Sequence, residues 1–245
     1  MSGYRRAALT RSDQGVFEGR YLFHLHTRYT DGELTIPEYF EFARQADVDR
    51  LVFLEHIRRN PTYAAAGFAA EVKSCSATAG VPASIGFEAK LLPNGTLDID
   101  ERDREMADVI GIAEHGFPDD FDLLRRSLDR VFEALRPLAG EKETVWVHPG
   151  LWMKRRGVLA ERAADYRQMI VCALQCGIRI ERNLRYGLIS PTELMSLGHL
   201  DTIIGADAHR PEDLARWRDL AEAGFDGRHR ALHPACTPSE VVSTR

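Results

Sequence analysis

The chain has 245 residues, of which 44% are hydrophobic and 28% charged, a composition typical of globular proteins. A formal net charge of -5 counts against nucleic acid or an anionic membrane as the main partner. No apolar run approaches the ~20 residues of a membrane span, and the positively charged start lacks the apolar core of a secretory signal. Four dispersed cysteines are too few for a disulfide framework, so we expect a cytoplasmic protein.

Short apolar, β-branched runs alternate with helical patterns along the chain. Seven of these runs indicate strands, at 21–26, 50–56, 83–92, 107–115, 144–150, 177–183 and 201–209. Helical periodicity with start or stop residues predicts helices at 35–46, 119–140, 161–177, 190–197 and 210–224. After the third strand, Asn94-Gly95 lies between alternating residues, which predicts a hairpin there.

This alternation predicts an α/β protein with a parallel sheet, either open and doubly wound or closed into a barrel. The first strand is not followed by the glycine-rich phosphate loop of a dinucleotide-binding fold. No repeat or linker divides the sequence. We therefore expect a single domain at 19–228, with a partly flexible N-terminal extension at 1–18 and a C-terminal tail at 229–245.

Two histidines close the first predicted strand. His24 and His26 share one face of an ideal strand because successive side chains alternate, and Asp31 follows in the next loop. Two imidazoles and a carboxylate suit a metal ion. On this pair alone, histidines satisfied by hydrogen bonds are the simpler interpretation.

The same residue types recur at or near the ends of other predicted strands. They are His56, Glu88, His115, His148, Asp207 and His209. In a parallel barrel the C-terminal ends of all strands meet at one rim, where active sites lie. Six of the nine histidines would gather at this edge, which unrelated structural histidines have no reason to do, so we predict a metal cluster. We expect the other three histidines at the surface, namely His199, His229 and His233.

Six imidazoles and three carboxylates are more ligands than one tetrahedral zinc ion needs. We therefore expect two or three divalent ions, with a carboxylate such as Glu88 bridging a pair. Nitrogen and oxygen donors without a thiolate indicate zinc, manganese or iron. Such ions lower the pKa of bound water and clamp the oxygens of a phosphoryl group, which favours phosphoester hydrolysis.

The order of these motifs resembles that of the polymerase and histidinol phosphatase (PHP) family. The motifs read "HLHTRYTDG", "EH" at 55–56, "GFEAK", "EH" at 114–115, "HPG" and "GADAH", and together they run from His24 to His209. The resemblance implies a distorted (β/α)7 barrel with a trinuclear metal site. It also implies metal-dependent hydrolysis of a phosphoester. We expect the substrate to be a small phosphomonoester, as for a histidinol phosphatase, and the attacking group to be a metal-bridging hydroxide.

The resemblance further assigns individual residues. The first ion would be bound by His24, His26 and Asp207, the second by His115 and His148, and the third by Asp31, His56 and His209, with Glu88 bridging the first two. Glu88 and Asp207 are expected to be essential for both metal binding and activity. His209 or Glu55 is expected to act as general acid for the leaving group.

The chain departs from the family pattern in two places. Leu54-Glu55-His56 stands where Thr-Asp-His is usual, so Glu55 lengthens a carboxylate that we expect to orient an imidazole. In the sixth strand Glu181-Arg182-Asn183 replaces Glu-Ile-Asn, and an arginine thus takes an apolar position. The ligand set itself is complete, which favours an active enzyme.

A phosphomonoester dianion also requires basic side chains near the rim. Arg58 and Arg210 directly follow ligand-bearing strand ends and rank first, and Lys90 ranks next. The further candidates are Arg28, Lys154 and Arg185. An ordinary surface role is equally compatible with the sequence for each of them. The sequence leaves open the organic part of the substrate and the oligomeric state.

Three alternatives stay open. The first is a phosphodiesterase or exonuclease acting on nucleotides or short oligonucleotides, although the acidic charge and the lack of a basic, aromatic-rich stripe count against long nucleic acid. The second is an amidohydrolase-type barrel, which also starts with a His-x-His strand but fits Glu88 and the terminal Asp-x-His poorly. The third is a metal-bound domain that binds a partner without catalysis.

Overall fold

A parallel sheet surrounded by helices forms the body of this protein, as seen in a computed structural model that describes residues 15–138, 140–190 and 202–223. The strands are β1 Tyr21–Leu25, β2 Arg50–Phe53, β3 Glu55–Ile57, β4 Ala83–Ser84, β5 Gly86–Lys90, β6 Val109–Ala113, β7 Glu143–Trp146, β8 Arg179–Asn183 and β9 Thr202–Ala208. Every pairing between these strands is parallel. The predicted α/β, barrel-like single domain is therefore confirmed.

Over the described residues the sheet has nine strands where the sequence predicts seven, because two predicted strands are interrupted. Leu54 separates β2 from β3, and Ile85 separates β4 from β5. The strand order is β3-β5-β6-β7-β8-β9-β1-β2-β4, so the same two chain segments stand at both ends of the sheet. Such an order, with parts of the same two segments at both edges, is expected when a sheet curls round towards a closed barrel.

The first interruption lies beside two glycines. A Cβ atom built on Gly86 would lie 2.7 Å from Leu54 Cδ1, and one built on Gly111 would lie 2.9 Å from Leu54 Cδ2. The missing side chains therefore make the space into which Leu54 packs. After Leu54 the chain pairs with β5, whereas before it the chain pairs with β1 and β4.

Seven α-helices lie within the described residues. They are α1 Ile36–Gln45, α2 Ala65–Ala79, α3 Glu101–Met106, α4 Phe121–Leu135, α5 Leu151–Arg155, α6 Ala163–Gln175 and α7 Asp213–Glu222. Thr35 and Glu38 form a capping box at the start of α1, and the Asp120 carboxylate accepts from Leu123 N at 2.8 Å at the start of α4.

The sequence patterns missed three of these helices, α2, α3 and α5. The alanine-rich α2 lacks a side-chain cap, and alanines lie on its exposed side as well as on its buried side, so the usual start and periodicity signals are weak. The predicted hairpin at Asn94-Gly95 is present, with an antiparallel bridge between Leu91 and Leu97. The predicted helix at 190–197 lies outside the described residues after Ser190, as do the three histidines expected at the surface.

Two apolar clusters hold the fold together. The larger packs helices against the outer faces of the strands. The smaller draws on residues of several strands, including Phe23, Val145 and Ile203, and also contains Phe17. Phe17 falls within the predicted 1–18 extension, yet its ring packs edge-on against Phe23 with centroids 5.1 Å apart. Among the described residues, no helix is long and apolar enough to cross a membrane.

Candidate metal centre

A buried carboxylate, Glu88 of β5, lies at the centre of the predicted ligands. Five histidines point a ring nitrogen at it, from the ends of β1, β3, β6 and β7. The distances are 2.8 Å for His148, 3.1 Å for His56, 3.3 Å for His26, 3.3 Å for His115 and 3.5 Å for His24. Residues as far apart in the sequence as His24 and His148, which are 124 positions apart, therefore meet around one side chain.

The remaining ligands close the other side of the cluster. His209 Nδ1 lies 3.3 Å from Asp207 Oδ1, and His209 Nε2 lies 3.4 Å from Asp31 Oδ2. Asp31 Oδ1 in turn lies 3.4 Å from His56 Nε2. Asp31 is 57% exposed, whereas Asp207 is buried. The site thus opens to solvent on the Asp31 side.

Four overlapping groups of these side chains have ligand atoms close enough to hold a metal ion. They are His26, Asp31, His56 and His209; His24, Glu88 and His148; His24, His26 and Asp207; and His56, Glu88 and His115. Together the groups contain all nine predicted ligands. They also differ from the predicted division, because His115 and His148 fall into separate sets, each with Glu88. In addition, His56 joins Glu88 and His115, and His26 joins the set of Asp31, His56 and His209.

Three of the nine residues have a strained backbone. His24, His148 and Asp207 have positive φ angles of 70°, 31° and 52°. Residues other than glycine rarely adopt this backbone conformation. At His24 the pairing register of β1 shifts between Phe23 and Leu25. The simple alternation that predicted a shared face for His24 and His26 is therefore broken by a bulge, although both imidazoles still reach the cluster.

The electrostatics of the cluster centre on Glu88. Burial opposes its charge, but the surrounding imidazoles hold the pKa of Glu88 well below its usual range. Burial likewise opposes charge on His56, yet Glu88 and Asp31 raise the pKa of His56 to about 10. His115 has the opposite balance, and burial lowers its pKa to about 4. One anionic centre therefore holds imidazoles of very different proton affinity.

His26 provides a direct test of whether this arrangement fits a cation. Both of its ring nitrogens are buried without a hydrogen-bond partner among the described residues. Its Nε2 nevertheless lies 3.3 Å from Glu88 and 3.8 Å from Asp207. Two ligands that each lie ~2.0–2.2 Å from a tetrahedral ion are about 3.3–3.6 Å apart. The residues therefore fit a metal ion.

Two residues of β8 support the ligands and were not among the predicted site residues. Glu181 is fully buried, lies 2.6 Å from His24 Nδ1 and accepts from the backbone N–H of His148. Asn183 donates to Asp207 Oδ2 at 3.0 Å. The only sequence signal was the match of Glu181 and Asn183 to the family pattern. Arg182 between them is half-buried.

Glu55 is completely buried and lies on the Nδ1 side of His26, 3.7 Å from that atom. Its Oε2 accepts from the Thr27 backbone N–H at 2.9 Å and from the Thr27 hydroxyl, and its Oε1 accepts from the Thr30 hydroxyl. These contacts place Glu55 behind the ligands, away from the cavity.

A cavity of roughly 210 Å³ adjoins the cluster. Besides seven of the predicted ligands, all except His24 and His26, it is lined by Leu151, Arg155, Arg185 and Tyr186. Arg185 Nη1 lies 3.5 Å from Asp207 Oδ1 and also contacts His209 Nδ1. The guanidinium carbons of Arg155 and Arg185 lie 5.6 and 5.7 Å from the centroid of the Tyr186 ring. Tyr186 is a cavity residue that sequence reasoning did not select.

The other basic candidates have partners elsewhere. Arg58 lies 3.8 Å from Asp98, and Arg210 lies 3.2 Å from Glu33. Three more candidates do not line this cavity either. The Arg28 side chain donates to the Glu33 carbonyl, and Lys154 donates to the Tyr186 carbonyl. Lys90 packs beside Gly116. Of the predicted phosphate-binding residues, Arg185 is the one that lines the cavity.

Comparison with known proteins supports the fold. A solved structure described as an amidohydrolase II matches with a TM-score of 0.50 and 13% sequence identity, over 85% of this chain and 94% of that chain. A phospho-2-dehydro-3-deoxyheptonate aldolase from Thermotoga maritima matches with a TM-score of 0.39 and 14% identity, over 78% of this chain and 53% of that chain. No protein-family model and no curated protein matches the sequence. At such low identity the first similarity shows a shared barrel-like fold and leaves the chemistry open.

We expect Glu88→Gln to remove most of the bound metal, because the substitution takes the negative charge from the centre of five imidazoles. The ion content is measured by mass spectrometry after incubation with Zn, Mn or Fe and desalting. The matched control is Glu105→Gln, an exposed position on α3. Equal metal content in wild type and Glu88→Gln would contradict this arrangement.

We also expect Gly205→Ala to weaken metal binding by about 10–100-fold, the usual effect of disturbing groups that orient ligands. A Cβ atom at Gly205 would lie 1.6 Å from Glu181 Oε1, so Glu181 must leave His24. Competition with a chelating dye measures the affinity. The control is Gly67→Ala on α2, where the nearest atom to the new Cβ is 3.7 Å away. Unchanged affinity in Gly205→Ala would show that Glu181 does not orient the site.

Proposed function

We propose that this chain is a metal-dependent phosphoesterase that hydrolyses a small phosphomonoester, in the manner of the histidinol phosphatases of the PHP family. The observation that carries the proposal is the convergence of six imidazoles and three carboxylates into one cluster, beside a cavity that also presents Arg185. So many nitrogen and oxygen donors, with no thiolate among them, suit a cluster of zinc, manganese or iron ions.

The contacts of His24 limit how many ions these ligands can hold together. His24 Nδ1 is engaged by Glu181 at 2.6 Å, which leaves only Nε2 for a metal. His24 belongs to two of the four ligand groups, so these two groups cannot both be complete. We therefore propose that the cluster holds two or three ions rather than one ion for each of the four groups.

The protein residues have separate roles in this proposal. Bound ions would lower the pKa of a coordinated water and neutralise the phosphoryl oxygens. Glu181 and Asn183 hold His24 and Asp207 in orientation. His209 faces Asp31 at the solvent side, where it either binds an ion or donates a proton to the leaving oxygen from Nε2.

Arg185 gives the cavity a cation for a phosphate dianion. A guanidinium group binds two phosphate oxygens at once, and Arg185 lies directly beside Asp207 and His209. The cavity volume of roughly 210 Å³ is below the ~300–1,000 Å³ of typical pockets for drug-sized ligands. A compact substrate, or the end of a larger one, fits best.

An amidohydrolase is the second candidate, and the similarity to the fold of an amidohydrolase II favours it. The ligand count and the neighbouring arginine favour the phosphoesterase, since amide hydrolysis requires neither a nine-ligand cluster nor an anion-binding group. A phosphodiesterase and a non-catalytic metal-bound domain remain as outcomes of the assay below.

We expect the wild-type protein, loaded separately with Zn, Mn and Fe, to hydrolyse small phosphomonoesters at least 10-fold faster than diesters or amides. The assay compares p-nitrophenyl phosphate, bis-p-nitrophenyl phosphate, small sugar and amino-alcohol phosphates, and p-nitroacetanilide. Glu88→Gln provides the inactive reference. Faster amide cleavage would establish the amidohydrolase, faster diester cleavage the phosphodiesterase, and no turnover with metal bound the binding domain.

We expect Arg185→Ala to raise KM for a phosphomonoester about 10-fold or more, because it removes a charge-assisted contact worth ~1.5–3 kcal/mol. Bound metal should not fall, since Arg185 is not a ligand. Arg126→Ala on the exposed face of α4 is the matched control. Steady-state kinetics on both variants checks this, and an unchanged KM for Arg185→Ala would exclude it as the phosphate-binding residue.

A further inference from the structure

The loop 27–34 carries Asp31, the most exposed member of the ligand cluster. Its partners in one ligand group, His26, His56 and His209, stand on or beside strand ends, which fix their positions. Asp31 has no such support from a strand. The completeness of this group therefore depends on what holds the loop in place.

A buried carboxylate holds the loop from within. Glu55, adjacent to the ligand His56 on β3, accepts from the backbone and the hydroxyl of Thr27 and from the hydroxyl of Thr30, the residue before Asp31. The loop also packs closely on the strand it leaves, since a Cβ atom at Gly32 would lie 2.3 Å from the His26 carbonyl oxygen. Glu55 thus fixes both the start of the loop and the residue next to its ligand.

The same carboxylate faces His26. Glu55 Oε1 lies 3.7 Å from His26 Nδ1. The other ring nitrogen of His26, Nε2, lies 3.3 Å from Glu88. Glu55 is therefore the group that lies between the imidazole of one ligand and the loop of another. The negative charge of Glu55 therefore stands on the side of the His26 ring opposite the ligand cluster, without a hydrogen bond to Nδ1.

We infer that Glu55, acting through Thr27 and Thr30, is the positioning residue that assembles the ligand group of His26, Asp31, His56 and His209. This inference rests on the metal site of the proposed function. It replaces the general-acid role that the sequence suggested for Glu55, because within the described residues its carboxylate accepts hydrogen bonds from Thr27 and Thr30 and its side chain is completely buried.

Three variants separate positioning from acid catalysis. Glu55→Gln keeps the length and can still accept from the Thr27 N–H, while its amide can donate to the Thr30 hydroxyl. Glu55→Ala removes every contact. Thr30→Val removes one hydroxyl next to Asp31 and leaves Glu55 in place. Glu105→Gln on α3 is the control.

The measurements are the number and affinity of bound Zn or Mn ions, by mass spectrometry and chelator competition, and kcat for a phosphomonoester at saturating metal. We expect Glu55→Ala and Thr30→Val to bind their weakest ion at least 10-fold less tightly, and Glu55→Gln to lose less. The kcat of Glu55→Gln at saturating metal should stay within a few-fold of wild type.

Two results would overturn the inference. Unchanged metal affinity in Thr30→Val and Glu55→Ala would show that the network does not assemble the group. A fall of ~100-fold or more in the kcat of Glu55→Gln with all ions bound would establish the general acid instead. Both results are read only if the wild-type protein binds metal and hydrolyses the phosphomonoester. Failure of the proposed function would show in the wild-type protein itself, so the two failures are distinguishable. If Glu55→Ala does not fold, Thr30→Val decides.

Discussion

The ionised carboxylate of Glu88, almost completely buried, is the constraint on which the rest of this structure depends. Burying an isolated carboxylate is strongly unfavourable unless other groups stabilise the charge. Here five imidazoles contribute that stabilisation, and they come from strand ends that are far apart in the sequence. Only a parallel sheet that curls round brings those ends to one place, so the fold and the charge cluster require each other.

Local strain and internal support accompany this cluster. His24, His148 and Asp207 have positive φ angles, and such conformations persist only where the surrounding structure enforces them. Glu181 supplies part of that enforcement by contacting both His24 and the backbone of His148. Tyr39 adds to it by donating to the carbonyl oxygens of His26 and Ala208 at the ends of β1 and β9. A structure that held these residues for stability alone would have no need of such conformations.

The fold does not by itself select the reaction. A barrel of this type supports many chemistries, and the solved amidohydrolase II shares the fold at an identity too low to transfer an activity. The distinction lies in the side chains, that is, in the number of nitrogen and oxygen ligands and in the guanidinium group of Arg185 beside them. The role of Glu55 shows the same principle, since its neighbours rather than its position in a motif suggest what it does.

The sequence by itself determined the alternating α/β pattern and all nine candidate ligands, because strand ends and residue types can be recognised locally. It did not determine that two strands are interrupted, since the space for Leu54 is made by Gly86 and Gly111 from other parts of the chain. It ranked Arg58 and Arg210 ahead of Arg185, because proximity along the chain says little about which side chain enters a cavity. Glu181 and Tyr186 became site residues only in the tertiary structure, where contacts between distant segments decide what lies beside a ligand.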